Sequence, residues 1–396
     1  MFVYADNAAT TCVSKTALDA MMPYLTEYYG NPSSLYAFAQ KVTEDVAKAR
    51  QTVADCLGAK SPREIIFTSG GSEADNQAIF SAARLGARKG KKHLISTRFE
   101  HHAVLHSLAR LEKEGFEVTL LDVHEDGVVR LDEVAAAIRE DTCLVTIMFA
   151  NNEIGTVQPV KEIGALCRER GVPFHCDAVQ AAGHMPINVE EMNIDMLSIS
   201  GHKFHAPKGV GALYVRKNIP ILNLIEGGAQ ERGKRAGTEN VGGIAGMAAA
   251  FREACEHMDE NIAKVTALRD KLIDGLSKIP HCALNGDREH RLPGNVNFCF
   301  EGIEGESMLL LLDGKGICAS SGSACTSGSL DPSHVLLAIG RPHEVAHGSL
   351  RLTLCESNTE AEIDHILACV PEIVAYLRGM SPVWRDLVEG KKSFIL

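Results

Sequence analysis

EIIFTSGGSEADNQAI, residues 64–79, reads as a strand, a glycine turn and a helix in succession. Upstream, Phe38, Val42, Val46, Val53 and Leu57 recur at helical spacing, and Gly58 is placed to stop that helix. Downstream, short β-rich runs return at HLIST, EVTLLDV, CLVTIMF, PFHCD, DMLSIS and GALYVR, with helical patterns filling most of the gaps from residue 101 to 171. Strands alternating with helices predict an α/β fold whose mostly parallel sheet is covered on both faces. Beyond about residue 258 the texture changes. A long helical segment from Val241 to Ile279 leads into PGNVNFCF, a helix near Ser307, a Ser/Gly-rich loop and RLTL. These predict a smaller α+β domain of residues 259–396, completed by residues 1–14, beside a large domain of residues 15–258.

The bulk properties exclude several classes. With 45% hydrophobic and 23% charged residues, the 396-residue chain has a globular rather than a disordered balance. A net charge of −11 argues against a nucleic-acid or anionic-membrane surface. No stretch approaches the ~18 consecutive apolar residues of a membrane span, and MFVYADNAATT lacks the features of a secretory signal. The expectation is a cytoplasmic protein whose twelve cysteines are reduced and mostly buried, as Cys143 and Cys176 would be in their apolar runs. The absence of a CxxC pair, or of a Cys/His cluster at zinc spacing, argues against a metal site.

Several residues stand at the ends of these strands, where open α/β sheets gather their ligands. Lys203, in SISGHKFHAPKG, is either a solvated surface lysine or a Schiff-base lysine activated by burial or nearby cations. TSGGSE offers Gly71 and Ser72 at a helix N-terminus to a single phosphate, or is a plain turn. Asp177, closing PFHCD, is either an N-cap or the partner of a pyridinium nitrogen. Gln180 and Asn152 could serve a ring's phenolic oxygen or ordinary polar and turn roles, and His101 could stack on a flat ring or start a helix. Together they supply what a pyridoxal-phosphate (PLP) pocket requires.

The chain resembles the cysteine desulfurases of the NifS/IscS type, in the fold-type I, class V aminotransferase-like group of PLP enzymes. The motifs are DNAATT, GNPSS, FTSGGSEADN, EHHAV, NNEIG, CDAVQ, SGHKFHAPKG, ERGKRAGTEN and SSGSACTSG, which span nearly the whole chain. The resemblance implies a large domain with a seven-stranded sheet. Lys203 would bind the cofactor, Asp177 would face the pyridinium, and Gln180 and Asn152 the phenolic oxygen, with His101 over the ring. Gly71, Ser72, Ser200 and His202 would hold the phosphate, joined by Thr238 of the other subunit, which implies a homodimer. Arg351, with Asn152, would bind the substrate carboxylate, and Cys325 would carry sulfur as a persulfide.

The small residues of ASSGSA before Cys325, and Ser327 and Gly328 after it, independently predict a mobile, exposed loop at about 318–332. Such a loop suits a sulfur carrier and not a buried structural thiol, which is the reading given to Cys318. The expected reaction takes L-cysteine to alanine, with Lys203 moving the Cα proton, His101 assisting, and sulfur passing to an iron–sulfur scaffold or a thiolation pathway. Rival readings are a selenocysteine lyase and a non-catalytic sulfur-transfer platform. Four positions depart from the family pattern: Cys12 where proline is frequent, Tyr36 for histidine, Ala39 for glycine, and Cys355 for the glycine of the RFSLGRFTTEEEID pattern. They bear on rate and acceptor.

Overall fold

The computed structural model describes residues 1–321 and 332–396. Its centre is a seven-stranded sheet in the order Ile65–Thr68, Gly211–Val215, Met196–Ser200, Phe174–Asp177, Thr142–Thr146, His93–Thr97 and Glu117–Leu121. Gly211–Val215 runs antiparallel to both of its neighbours, and the remaining pairs are parallel. The middle strands are buried along their whole length, which is why they read as continuous apolar runs and not as alternating ones.

Side-chain alternation divides the sheet between two cores. Ile65 and Phe67 point into one, with Val53 and Leu57 of helix Ala37–Leu57 and Phe251 of helix Val241–Glu256. Ile66 points into the other, with Ala78 and Ile79 of helix Gly71–Ala87 and Leu108 of helix His102–Lys113. Gly58 stops the helix before it, as its position predicts, by taking φ 67°.

A third core belongs to an antiparallel sheet of Ser349–Thr353, Asn295–Phe300 and Cys282–Leu284. Helices Met258–Leu276 and Glu360–Met380 cover it, so that Leu272, Phe298, Leu352 and Ile366 meet. The N-terminal residues join this part: Val3–Tyr4 pairs in parallel with Ile317–Cys318, and Asp6 bridges to Thr353. One expectation fails. The helix expected from Val241 to Ile279 is two helices, broken at His257, whose φ of −104° and ψ of 13° leave the helical region. Asp259 and Glu260 favour the new N-terminus that follows, since acidic side chains complement the helix dipole there. The mobility expected of the cysteine loop falls on residues outside those described, as does Cys325 itself.

Candidate active site

The strand Met196–Ser200 ends in a tight turn, Gly201–Lys203, which sets the lysine at the carboxyl edge of the large sheet. Lys203 Nζ donates to the carbonyl oxygens of Ala8 and Ala9, at 2.5 and 2.8 Å. Gln180 Nε2 reaches the same Ala8 oxygen at 3.1 Å. Two of the expected residues therefore converge on the N-terminal segment, which also carries Thr10 to His202 Nδ1 at 3.1 Å.

Asp177 ends its strand as a buried carboxylate, and its Oδ1 accepts from the Val179 N–H at 2.9 Å. The turn-capping role and the placement at the strand edge are both realised. Burial raises Asp177 to about 6, against the opposing pull of the Val179 N–H and the Lys203 charge. Such a carboxyl group is stabilised as an anion by a cation brought against it. His101 caps helix His102–Lys113, its Nδ1 accepting from the Ala103 N–H at 3.1 Å. Burial, reinforced by Lys203, lowers His101 to about 4, so the ring is neutral at pH 7 with its proton on Nε2.

At the start of helix Gly71–Ala87, Gly70 has φ 152°, which favours glycine. Gly71 lies under Val179, where a Cβ would come within 2.5 Å of Cγ2. The turn opens on a cavity of ≈ 390 Å³ lined by Thr10, Gly70, Gly71, Ser72, Ser200 and His202. The N-terminus of a 17-residue helix presents its backbone donors to an anion there. Burial, then Lys203 and Lys208, lower His202 to about 4.

Arg351 is almost wholly buried. Its Nη2 pairs with Asp6 Oδ1 at 2.9 Å, its Nη1 donates to the Asn152 carbonyl oxygen at 3.2 Å, and its Nε has no hydrogen-bond partner among the described residues. Asn152 thus meets the arginine through its backbone. Thr238 is exposed in its segment.

Three carboxylates were not singled out from sequence. Asp6 holds Arg351. Asp75 is fully buried, and burial with the nearby Asp177 charge keeps it well above the usual carboxylate range. Glu100 is buried too, raised to about 8 by burial and the Asp177 charge against the Thr97 hydroxyl and Met148 N–H. All three lie inside motifs already noted, Glu100 opening EHHAV, but burial and pairing are tertiary facts. The signal available for Asp75 was an acid flanked by the apolar face of its helix.

An anion cradle at a glycine turn, a buried acid able to face a pyridinium, and a lysine between them fit PLP, and they define a PLP-dependent enzyme. The model of the family "Aminotransferase class-V" matches residues 3–366. The chain is 54% identical over 394 residues to the cysteine desulfurase IscS of Clostridium botulinum, covering 99% of each chain. It is 56% identical over 381 residues to that of Methanosarcina thermophila, covering 96% of this chain and 94% of the relative. A solved NifS-like protein, 40% identical, superposes with a TM-score of 0.89 over 95% of this chain and 100% of its own. The chain belongs to the class-V aminotransferase family, among its cysteine desulfurases of the IscS/NifS type.

Proposed function

We propose that in this PLP-dependent cysteine desulfurase Lys203 and Cys325 divide the work on L-cysteine. Gly71, Ser72, Ser200 and His202 hold the cofactor phosphate, Asp177 the ring nitrogen, and Gln180 and Asn152 the phenolic side, with neutral His101 over the ring. PLP, when bound, supplies an electron sink for the substrate Cα. Arg351 orients the substrate carboxylate, and Lys203 moves the Cα proton. The Cys325 thiolate attacks the substrate sulfur: an S–S bond forms, the S–Cβ bond breaks with its electron pair left on carbon, and protonation there yields alanine. What supports this reading most is the meeting of Lys203, Asp177, His101 and the Gly70–Gly71 turn at the ends of one sheet.

Thr238 completes the phosphate site from a second copy, so the working unit is a homodimer. The divisions at 15–258, and at 1–14 with 259–396, act as large and small domains. The acceptor is an iron–sulfur scaffold or another sulfur-accepting protein, in the cytoplasm; among the described residues no single helix is long and apolar enough to cross a membrane. The deciding experiment gives holoenzyme L-cysteine and measures alanine together with the intact mass of the protein. One added sulfur atom, located on Cys325 and missing from Cys325→Ser along with alanine production, is expected. Undiminished alanine from Cys325→Ser would remove the carrier role.

A further inference from the structure

His205 lies some 150 positions before the adjacent pair Cys355 and Glu356, yet one ring nitrogen, the thiol sulfur and a carboxylate oxygen all lie within 4.8 Å of one another. No zinc-like spacing announces them, since folding alone brings His205 to the Cys355–Glu356 pair. His205 stands two residues beyond Lys203, and Cys355 two residues beyond the strand Ser349–Thr353 that carries Arg351. The cluster therefore bridges the lysine turn to the end of the arginine strand.

The histidine is held as a metal ligand is held. Its Nδ1 meets the Cys12 carbonyl oxygen at 2.9 Å, which places a proton on Nδ1 and turns Nε2 toward the other two groups. Nε2 is buried and pairs with Glu356 Oε1 at 3.0 Å. The backbone is pinned on both sides, with His205 N–H donating to Thr11 Oγ1 at 2.8 Å and its carbonyl accepting from Ser14 N–H at 2.9 Å. That grip keeps a non-glycine residue at φ 65°, a conformation that persists only where surroundings enforce it. Cys355 is buried with its sulfur 3.0 Å from Ser357 Oγ, and Glu356 beside it is half-buried. The thiol departs from the family pattern at a glycine position, and Cys12, whose carbonyl steadies the ring, departs at a proline position.

We propose that His205 Nε2, Cys355 Sγ and a Glu356 carboxylate oxygen bind a zinc-class divalent cation, with a fourth position open to water or an outside ligand. One nitrogen, one thiolate and one carboxylate form a donor set suited to zinc, whose bonds of about 2.0–2.3 Å put neighbouring ligand atoms roughly 3–4 Å apart. The cation takes the thiolate and the Nε2 lone pair, while Nδ1 keeps its proton on the Cys12 carbonyl. The cation fastens the segment after the lysine to the end of the arginine strand, and its site does not depend on the catalytic roles assigned above.

The test uses PLP-loaded full-length enzyme carrying Cys325→Ser, so that the reactive thiol of the cysteine loop does not compete. After dialysis against buffered free zinc, bound metal is counted by mass spectrometry, and zinc-edge X-ray absorption reads the ligands. We expect one equivalent per chain with a single sulfur scatterer at about 2.3 Å, and a melting temperature raised by zinc. Adding Glu356→Gln, or separately Cys355→Ser, weakens binding at least tenfold and abolishes the melting shift, with cofactor content unchanged. Retention of zinc as tightly by both variants, or no stoichiometric zinc in the parent, overturns the site.

Discussion

Asp6 Oδ1 sits 2.9 Å from Arg351 Nη2, so the guanidinium that would receive the substrate carboxylate already faces a carboxylate. An incoming cysteine has to share or displace that partner. Replacing Arg351 by lysine removes the planar fork, and KM for cysteine is expected to rise at least about tenfold, near 1.4 kcal/mol. Asp6→Asn weakens the internal competitor and is expected to lower KM, with kcat less affected. Steady-state alanine formation measures both; an unchanged KM in Arg351→Lys would exclude the carboxylate role.

Asp177 carries the electronic part of the proposal. Asp177→Asn keeps the side-chain oxygen that accepts from Val179 N–H but loses the charge opposite a ring nitrogen. We expect turnover to fall about a hundredfold or more, with an altered visible spectrum of the holoenzyme and an unchanged far-ultraviolet circular dichroism. Near-parental turnover would reduce Asp177 to its turn-capping contact.

Lys203→Ala should abolish covalent cofactor attachment and lower turnover by roughly a thousandfold or more. Cofactor retained after borohydride treatment and denaturation, measured by protein mass, reads attachment directly. A variant that still holds PLP covalently would move the role to another lysine.

Thr238 is exposed in its own chain, and under the proposal it would serve the phosphate site of a second copy. The enzyme should sediment as a dimer, and Thr238→Ala should weaken PLP retention several-fold without dissociating it. A fully active monomer would contradict this arrangement.

Glu100 gives a stability signature with a defined sign. Its folded pKa of about 8 lies above the ordinary carboxyl value of 4.5, so the folded state binds the extra proton between those limits. That contribution is complete below about pH 4.5 and is lost as the pH rises through 8. Glu100→Gln keeps a neutral acceptor toward Thr97 and Met148 and removes the titration. The melting temperature of the variant, relative to the parent, should therefore climb steadily from pH 5 to 8. A difference independent of pH would mean Glu100 is ionised in the folded protein.

Much of this architecture was legible in the residues. The strand–glycine–helix reading of 64–79, the strand-end position of Asp177 and the Gly58 stop depend on local rules, and each strand run fell where a strand lies. The break at His257 escaped because helical spacing continues on either side of it. The roles of Asp6 and Glu100 escaped for a different reason: nothing local distinguishes a solvated acid there from a buried one, and the apolar flank of Asp75 does not tell what it pairs with. The same holds for His205, Cys355 and Glu356, whose meeting depends on packing between segments far apart in the chain.

The N-terminal segment has a consequence for synthesis. Asn7 and Thr353, joined by a hydrogen bond from Asn7 Nδ2 to the Thr353 carbonyl oxygen, are 346 positions apart. Asn7 must wait for a strand synthesised 346 positions later, on the order of tens of seconds at ordinary elongation rates. The carbonyls of Ala8 and Ala9 that receive Lys203 ride on that same segment. The large sheet has all of its described strands long before then, but this wall of the lysine pocket closes only when the strand Ser349–Thr353 arrives.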